Sequence, residues 1–239
     1  MILKGKTAVI TGASAGLGRD FSNALIERGA TVFGLARRAE KLEEMDDRLG
    51  VLFHGIECDV SDEKQVTKAF ELISSQSDRL DILVNNAGLG RFGLLEDMSA
   101  EDWDVQMATN LRGVFLCTRA VLPAMKRHNA ETGFGGHIVN ICSVAGLVGN
   151  PEVSAYNATK FGLKGFSEAL MKEVRNDGIK VSCLYPGSIR TEFFSTAGVE
   201  ISIGAMTAED ITSSLIHVLE TPDNYLVSEV VMRPLRPNG

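Results

Sequence analysis

Tyr156 and Lys160 form the side-chain pair with the clearest capacity for chemistry, because they stand four residues apart. On a helix, residues at this spacing lie on one face, so the phenol and the ammonium would be neighbours. A free tyrosine has a pKa of about 10, and a nearby cation favours its phenolate. The pair could therefore hold and release a proton, although the same spacing also occurs in exposed helical pairs.

Further polar side chains follow apolar runs, at points where strands would end. Ser143 comes shortly after the run from His137 to Ile141, and Asn86 follows an earlier run. Asn110 lies in the helical stretch beyond Asn86. In parallel α/β sheets, ligands bind beyond the carboxyl ends of the strands. We therefore expect these three side chains to share one site with Tyr156.

A glycine cluster follows the first apolar run and precedes a helical pattern. Gly12, Gly16 and Gly18 have the spacing G-x-x-x-G-x-G, with Ser14 and Leu17 between them. Glycines let the backbone approach a pyrophosphate, whose charge then rests on the helix N-terminus. The spacing differs from the G-x-G-x-x-G fingerprint, and a plain strand-to-helix turn is the alternative. The position of the cluster favours a dinucleotide site.

The end of the second apolar run indicates which nucleotide would bind. NAD-binding proteins usually place Asp or Glu near this point to bind the adenine ribose. Here Ala36 is followed by Arg37 and Arg38, and no acid is present. Because arginine matches the geometry of a phosphate, we predict a pocket for the 2′-phosphate of NADP rather than NAD. An ordinary solvated arginine pair at the start of a helix is the alternative.

Short apolar runs alternate with longer amphipathic stretches along the whole chain. The runs are rich in Val and Ile, which is typical of parallel strands covered by helices. The alternation predicts an α/β fold, with a doubly wound, seven-stranded parallel sheet, helices on both faces and a single domain over 1–239. The predicted strands are Thr7–Thr11, Thr31–Ala36, Val51–Ile56, Leu80–Val84, His137–Ile141, Ile179–Leu184 and Tyr225–Val231. The predicted helices are Leu17–Arg28, Arg38–Leu49, one opening at Ser61, Trp103–Arg127, Ser154–Asn176 and Thr207–Leu219.

Taken together, these motifs resemble the short-chain dehydrogenase/reductase superfamily in its branch of this length. The resemblance runs in order from Thr7 to about Thr191. It rests on Thr11-Gly-x-x-x-Gly-x-Gly18, Cys58-Asp59-Val60, Asn85-Asn-Ala-Gly88, Asn110, Ser143, Tyr156-x-x-x-Lys160 and Pro186-Gly187. It implies a Rossmann fold whose cofactor-binding half is 1–95 and whose catalytic and substrate half is 96–239, with a lid at about 188–206.

The resemblance also implies roles for individual residues. Tyr156 would be the general acid in carbonyl reduction and the base in alcohol oxidation. Ser143 would bind the substrate oxygen, Lys160 the nicotinamide ribose, and Asn110 a water that relays protons. The remaining cofactor contacts would come from Asp59, Val60, Asn86, Ala87, Gly88, Pro186, Gly187, Ile189 and Thr191.

Two positions depart from the family pattern. Cys142 replaces the first serine of the common Ser-Ser pair, so Ser143 is the remaining hydroxyl there. Ala15 stands where members that prefer NADP often carry a basic residue. Recognition of the phosphate would therefore rest mainly on Arg37 and Arg38.

Composition excludes several other classes of protein. The chain has 239 residues and a net charge of −7, which argues against a general binder of nucleic acid or anionic membranes. We find no apolar run long enough for a membrane helix, no secretory signal and no metal-ligand spacing among the four histidines. The four scattered cysteines are typical of reduced core residues. We expect a cytoplasmic protein without a metal.

The expected activity is NADP(H)-dependent reduction of a small or medium apolar ketone, or oxidation of the matching secondary alcohol. A 3-oxoacyl-[acyl-carrier-protein] reductase is the first alternative, with Arg91, Arg112 and Arg119 as candidate contacts for the carrier protein. The C-terminal Arg-Pro pattern looks more like bacterial sepiapterin-reductase-like members. A non-catalytic NADP(H) sensor is the minor alternative. By resemblance, the protein forms homodimers or homotetramers.

The substrate pocket is expected to be largely apolar, although each of its candidate residues could equally pack in the core. Arg91 and Phe92 could reach the mouth of this pocket. The apolar candidates are Leu147, Val148, Val153, Phe193, Phe194, Ile201, Ile203 and Met206.

Overall fold

A parallel sheet organises the computed structural model, which describes residues 1–193 and 202–237. Within these ranges the sheet has seven strands: β1 (Thr7–Thr11), β2 (Thr31–Ala36), β3 (Phe53–Glu57), β4 (Ile82–Asn85), β5 (Gly136–Ile141), β6 (Ile179–Pro186) and β7 (Glu229–Met232). Every pairing between neighbouring strands is parallel. The predicted α/β class and parallel sheet are therefore confirmed.

The strand order is β3-β2-β1-β4-β5-β6-β7, so the chain reverses its direction of travel between β1 and β4. The loops that leave these two strands run to opposite sides and open a crevice at their carboxyl ends. In doubly wound sheets, this switch point is where ligands bind. The glycine cluster follows β1 and the Asn86 segment follows β4, so both motifs lie at the crevice.

Helices cover both faces of the sheet, as predicted. The helices with the bounds described here are α1 (Gly16–Glu27), α2 (Ala39–Leu49), α3 (Glu63–Gln76), α4 (Ala100–Met107), α5 (Gly113–Thr132), α6 (Ser154–Val174) and α7 (Ala208–Glu220). Apolar side chains of α1, α2 and α7 form one core with the sheet. Those of α3, α5 and α6 form a second core on the other face. The inner strands β1, β2, β4, β5 and β6 are thus buried between two apolar layers, which explains why they are apolar on both faces.

Capping side chains fix the starts of two helices. Asp62 accepts hydrogen bonds from the backbone of Lys64 and Gln65 at the start of α3. Thr207 and Asp210 form a reciprocal capping box at the start of α7. Each such cap contributes about 1 kcal/mol by satisfying amides that lack a partner inside the helix.

The predicted helix Trp103–Arg127 is wrong in its continuity. The structure has α4, then a π-helical segment at Ala108–Arg112, then α5. A π segment inserts one extra residue into the helical turn, and hydrophobic periodicity does not reveal such an insertion. The π segment matters for the site, because Asn110 lies within it and its side chain is buried.

Strands β3, β4 and β7 begin later than predicted, and apolar residues outside the sheet account for the early starts predicted for β3 and β7. The segment before β3 is a short 3-10 turn in which Val51 is 89% exposed, so its apolar character reflects no burial. Before β7, the backbone amide of Tyr225 donates to the carbonyl of Pro222 and closes a turn. Apolar residues extended both predictions into turns.

Candidate active site

A cleft of about 420 Å³ opens at the carboxyl ends of the strands. Three of the four predicted catalytic residues line it, together with most of the predicted cofactor contacts. The predicted residues in its wall are Gly12, Ser14, Gly16, Leu17, Arg37, Arg38, Asp59, Val60, Asn86, Ala87, Gly88, Ser143, Tyr156, Lys160, Pro186, Gly187, Ile189 and Thr191. Gly18 and Asn110 lie behind this wall.

The glycine loop is shaped to bring backbone close to a ligand. Gly12 has φ +67°, and a Cβ there would lie 2.9 Å from the Cα of Ala87. A Cβ on Gly18 would overlap the carbonyl oxygen of Gly12, so Gly18 allows α1 to pack against the loop. The first turn of α1 carries no acidic residue. Its N-terminal amides therefore present an uncompensated positive end to the cleft, which fits a pyrophosphate.

Thr11 joins this loop to the segment after β4. Its hydroxyl oxygen accepts hydrogen bonds from the backbone amides of Asn86, at 3.0 Å, and Ala87, at 2.9 Å. The Asn86 side chain donates in return to the carbonyl oxygen of Thr11 at 2.9 Å. Thr11 is part of the sequence motif, but the motif alone indicates no role for it. Its position at the end of β1 is the signal that could have found it.

The two predicted phosphate ligands, Arg37 and Arg38, line the same end of the cleft. Arg38 donates from Nε and Nη2 to Oγ of Ser14, at 3.3 and 3.1 Å. This contact brings a guanidinium, a hydroxyl and the glycine loop together. NAD-binding proteins usually carry an acid near this position, whereas Ala36 at the end of β2 is apolar and buried. The donors present are cationic or neutral, and they fit a phosphate monoester.

Asp59 and Val60 form the next part of the wall. The Asp59 carboxylate accepts hydrogen bonds from the amide of Ser61 at 2.9 Å and from its hydroxyl at 2.7 Å. Its own amide donates to the side chain of Gln65 at 2.9 Å. Val60 packs against Gly113, where a Cβ would come within 2.8 Å of its methyl group. Asp59 therefore shapes a turn as well as facing the cleft.

Ser143, Tyr156 and Lys160 meet where β5 and α6 approach each other. Lys160 is buried, and its Nζ donates to the carbonyl oxygen of Ile141, the last residue of β5, at 3.0 Å. The same Nζ lies 5.5 Å from the centre of the Tyr156 ring. Ser143 begins a 3-10 turn, and its hydroxyl accepts from the amide of Ala145 at 3.1 Å. The predicted one-face arrangement of Tyr156 and Lys160 is present.

Opposing effects act on the phenol of Tyr156. Burial raises its pKa above the ordinary value, because charge is poorly solvated there. The Lys160 ammonium and a hydrogen bond with Ser143 act in the opposite direction and lower the pKa. Cys142 adds a smaller upward effect. In the protein without ligand, the phenol is thus a protonated acid that stands beside a cation.

Asn110 lies behind the cleft and holds its wall. Its Oδ1 accepts from the amide of Leu89 at 2.8 Å, and its Nδ2 donates to the carbonyl of Leu89 at 2.8 Å. The same Nδ2 contacts the hydroxyl of Thr159 at 3.3 Å. The side chain is therefore engaged with the loop after β4. The water-holding role stays a prediction.

Asn157 is a residue that the sequence reasoning missed. Its Nδ2 donates to the carbonyl oxygens of Ala145 at 2.6 Å and Val148 at 3.0 Å. Its Oδ1 accepts from the amide of Asn150 at 3.1 Å. Three hydrogen bonds thus tie the loop after Ser143 to the helix that carries Tyr156. A buried amide inside the Tyr-x-x-x-Lys motif was the available signal.

The segment after β6 closes the cleft from the far side. Gly187 donates its amide to the carbonyl of Met232 at 2.9 Å, which fixes the turn after Pro186. Ile189 is buried and pairs with Met206 in an isolated bridge. The side chain of Thr191 faces Gly16 across the cleft, 3.6 Å from where a Cβ would stand.

Among the predicted substrate-side residues, the aromatic ones gather at Tyr156. The ring centres of Phe92 and Phe193 lie 5.5 and 5.7 Å from that of Tyr156. Met206 instead packs against the core, because its backbone pairs with Ile189, and Ile203 is 80% exposed. Leu147 packs in a small cluster beneath the cleft, while Val148 is exposed and Val153 is half-buried. The predicted Phe194 and Ile201 lie outside the described residues.

The basic residues considered for a carrier protein separate into two places. Arg91 lines the cleft, and its Nε lies 3.5 Å from a carboxylate oxygen of Asp102. Arg112 and Arg119 both pair with Glu63 on α3 instead. The structure therefore brings Arg91 alone of these three to the cleft.

Two further properties concern the described part of the chain. In 1–193 and 202–237, no helix is long and apolar enough to cross a membrane. The same ranges hold no group of three or more His, Cys, Asp or Glu side chains arranged to hold a metal ion. All four cysteines are buried and free, as predicted.

The fold and this cleft define the class of protein. Residues 6–200 match the family model described as short chain dehydrogenase. The chain belongs to this family of oxidoreductases, which act on alcohol and carbonyl groups. The family resemblance read from the sequence is thus confirmed.

Individual relatives cover almost the whole chain. It is 34% identical over 240 residues to a farnesol dehydrogenase from Aedes aegypti, with 97% of this chain and 96% of that one covered. It is 33% identical over 240 residues to a 3-oxoacyl-[acyl-carrier-protein] reductase from Salmonella typhimurium, with the same coverage. Among solved structures, it is similar to a closed form of serine dehydrogenase complexed with NADP+, with a TM-score of 0.88 and 30% identity over 96% of this chain and 95% of that one.

Proposed function

We propose that this chain is an NADP(H)-dependent oxidoreductase that reduces a ketone to a secondary alcohol, or oxidises the matching alcohol. The observation that carries the proposal is the meeting of Ser143, Tyr156 and Lys160 at one end of a cleft. Its other end is built from a glycine loop and the Arg38–Ser14 contact. Acid–base groups and a dinucleotide cradle in one cleft are what hydride transfer to a carbonyl requires.

Tyr156 is the proton donor in the reducing direction. Its phenol is protonated and lies in the cleft, so it can donate to a carbonyl oxygen that becomes an alkoxide as the bond order falls. Ser143 is placed to donate a second hydrogen bond to the same oxygen and stabilise the developing charge. The Lys160 ammonium then stabilises the phenolate that proton donation leaves behind. In the oxidising direction, the same groups act in reverse.

The bound NADP(H) would supply or accept the hydride. Gly12, Gly16 and the N-terminus of α1 would hold its pyrophosphate, and Arg37, Arg38 and Ser14 its 2′-phosphate. Lys160 would bind the nicotinamide ribose, and Asn110 would bind the relaying water. The other proposed contacts are Leu17, Gly18, Asp59, Val60, Asn86, Ala87, Gly88, Pro186, Gly187, Ile189 and Thr191. The structural similarity to an NADP+ complex supports this assignment.

In this proposal, the cofactor is held mainly by residues 1–95 and the substrate mainly by 96–239. The glycine loop, Arg37, Arg38 and Asp59 all come from the first range, and Ser143 and Tyr156 from the second. A lid at about 188–206 would cover the substrate, and its residues 194–201 lie outside the described part.

A 3-oxoacyl-[acyl-carrier-protein] reductase is the second candidate. The similarity to the Salmonella typhimurium enzyme over nearly the whole chain favours it. Arg91 would be the contact for an acidic carrier protein, because it lines the cleft, whereas Arg112 and Arg119 pair with Glu63 outside the cleft wall. Reversing the charge at Arg91 should then raise the KM for the carrier-bound substrate and leave a small free ketone unaffected.

The decisive experiment measures NADPH oxidation against a panel of ketones, with NADH in parallel. The panel holds a 3-oxoacyl thioester, vicinal diketones, a pterin diketone and 3-oxo acids. We expect turnover with NADPH and its loss, by at least about a hundredfold, in Tyr156→Phe, whose Kd for NADPH stays close to that of the wild type. Turnover that survives in Tyr156→Phe contradicts the mechanism. Tight NADPH binding without turnover of any carbonyl favours a nucleotide sensor instead.

A further inference from the structure

The loop after β4 is held rigidly at alternate residues. Leu89 is bound through both backbone groups by the side chain of Asn110. Arg91 is bound in the same way by Gln106, whose Oε1 accepts from the Arg91 amide at 3.1 Å and whose Nε2 donates to its carbonyl at 3.3 Å. Gln106 and Asn110 are both fully buried, so neither side chain is free to follow a moving loop.

The next position in this pattern, Gly93, donates its amide to the carbonyl oxygen of Glu152 at 2.7 Å. Phe92 therefore stands between two anchored residues, and its half-buried ring packs beside Gly90, which is itself a residue of the cleft wall. Gly90 gives this ring its place, because a Cβ there would lie 2.6 Å from Cε1 of Phe92. The loop thus holds the ring of Phe92 in a fixed place against Gly90.

The ring of Phe92 packs against the phenol proposed to protonate the substrate. The rings of Phe92 and Tyr156 meet edge to face, with centres 5.5 Å apart and planes at 72°. Phe193 completes the group, with its ring centre 6.4 Å from that of Phe92. Such separations lie within the range in which aromatic rings attract each other beyond simple apolar contact.

A substrate carbonyl must approach the hydroxyl of Tyr156 to within hydrogen-bond distance. The group attached to its carbonyl carbon then lies beside the phenol and beside the ring of Phe193, which lines the cleft and packs with Phe92. A planar, unsaturated group gains favourable edge and face contacts with aromatic walls. A saturated group of the same size gains only apolar contact, because it has no ring quadrupole.

We propose that Phe92 is a specificity-determining residue, and that it makes this site prefer ketones carrying a planar, unsaturated group over size-matched saturated ketones. This inference rests on the proposed ketone reduction and adds the class of substrate to it. It depends on Phe92, whose backbone is anchored on both sides.

The test compares kcat/KM for acetophenone and for cyclohexyl methyl ketone, which differ in the planarity of the ring. The ratio of the two values is measured with saturating NADPH in the wild type and in Phe92→Leu. Intrinsic reactivity of the two ketones cancels when the ratios are compared between proteins. We expect the ratio to fall about three- to tenfold in Phe92→Leu, which keeps an apolar side chain and removes the ring.

Two matched variants complete the design. Phe92→Tyr keeps the ring and should retain the wild-type ratio. Leu95→Ala changes an exposed residue of the same connection that lies outside the cleft wall, and it should leave both rates unchanged. The Kd for NADPH, measured for every variant, reports whether the cofactor end of the cleft is intact.

Equal loss of activity on both ketones in Phe92→Leu, or a fall of the ratio in Phe92→Tyr, overturns the role of Phe92. These outcomes leave the proposed reduction of ketones standing. By contrast, a wild-type protein that binds NADPH and reduces neither ketone nor any member of the carbonyl panel contradicts the proposed function itself.

Discussion

The side-chain amide of Asn110 binds both the backbone amide and the backbone carbonyl of Leu89, with two hydrogen bonds of 2.8 Å. The buried amide side chain thus pairs with the backbone of the loop after β4 through one donated and one accepted hydrogen bond, as two residues of neighbouring strands do. Asn110 is the buried residue of the π segment, so this irregular turn is the part of the helix that carries the side chain bound to Leu89. A helix irregularity thus holds in place the loop that forms one wall of the cleft.

Replacing Asn110 with Leu should destabilise the protein. The amide and carbonyl of Leu89 would lose their partners in a semi-buried site, and each orphaned group costs about 1–3 kcal/mol. We expect the free energy of unfolding to fall by about 2–4 kcal/mol and kcat to fall with it. Urea denaturation of Asn110→Leu measures the first effect, with Asp104→Ala, an exposed change on α4, as the control. A loss below about 0.5 kcal/mol would contradict the anchoring role.

The contrast between Asn110 and the sheet shows what a sequence can reveal. The five inner strands and the glycine loop follow from apolar runs and glycine spacing, because burial on both faces and close backbone approach each leave a strong local pattern. The π segment leaves no such pattern in the sequence. One inserted residue shifts the spacing of apolar residues by less than that spacing varies among ordinary helices. The boundaries of β3 and β7 failed for the related reason that exposed apolar residues such as Val51 imitate strand.

The same limit applies to the site. Ser143, Tyr156 and Lys160 could be placed at one sheet edge, because parallel strands all end on the same side. The hydrogen bonds of Asn157 and Gln106 could not be predicted from the sequence, because each joins segments that only the packing of the fold brings together. Nor could the sequence separate Phe193, which reaches the cleft, from Met206, which packs in the core.

The contact between Arg38 and Ser14 predicts how nucleotide choice can be changed. Hydrogen bonds from a guanidinium to a phosphate contribute about 1.5–3 kcal/mol, so removing the charge should weaken NADPH binding by about 10- to 150-fold. The Kd for NADH should change little, because NADH carries no 2′-phosphate. Titration of Arg38→Gln with both nucleotides measures this.

Arg48→Gln serves as the control for this variant, because Arg48 lies on α2, the helix that begins directly after Arg38, and donates to Asn23 outside the cleft wall. Equal weakening of NADPH and NADH in Arg38→Gln would mean that Arg38 supports the cleft in general and does not select the phosphate. Arg37→Asp should also favour NADH, because an acid at this position repels the phosphate and can bind the ribose.

The environment of Tyr156 predicts the pH dependence of the reaction. Alcohol oxidation needs the phenolate, and burial holds the pKa of the phenol high, so the oxidation rate should rise with pH across the neutral and alkaline range. Lys160 lowers this pKa, so Lys160→Met should move the rise to higher pH. Ketone reduction needs the protonated phenol and should be nearly flat below the pKa.

Rates at saturating NADP+ over a pH series test this prediction, because saturation removes any change in cofactor affinity. Lys164→Met, one turn further along α6, is the matched control and should leave the profile in place. A profile in Lys160→Met that falls in height without moving along the pH axis would show that Lys160 positions the cofactor and does not act on the phenol.

His137 makes stability depend on pH at the opposite end of the sheet. It is fully buried on β5, and its Nε2 lies 2.7 Å from Oγ of Ser182. The Ser182 hydroxyl donates to the carbonyl of Val227, so Nε2 must be the donor to Ser182. Burial, supported by the nearby Lys180 cation, lowers the pKa of His137 to about 3.

The unfolded chain binds a proton at this histidine below its ordinary pKa of about 6.5, whereas the native protein does so only near pH 3. Stability from this group is therefore complete above pH 6.5 and is lost as the pH falls from about 6.5 towards 3. Between pH 7 and pH 4.5, the free energy of unfolding should fall by about 2 kcal/mol more in the wild type than in His137→Gln. Glutamine keeps a donor for Ser182 and cannot titrate.

Urea denaturation at the two pH values measures the difference, and His217→Gln on the exposed side of α7 should leave it as in the wild type. The same fall in the wild type and in His137→Gln would assign the acid sensitivity to the other buried ionisable groups, Asp81 and His128 among them.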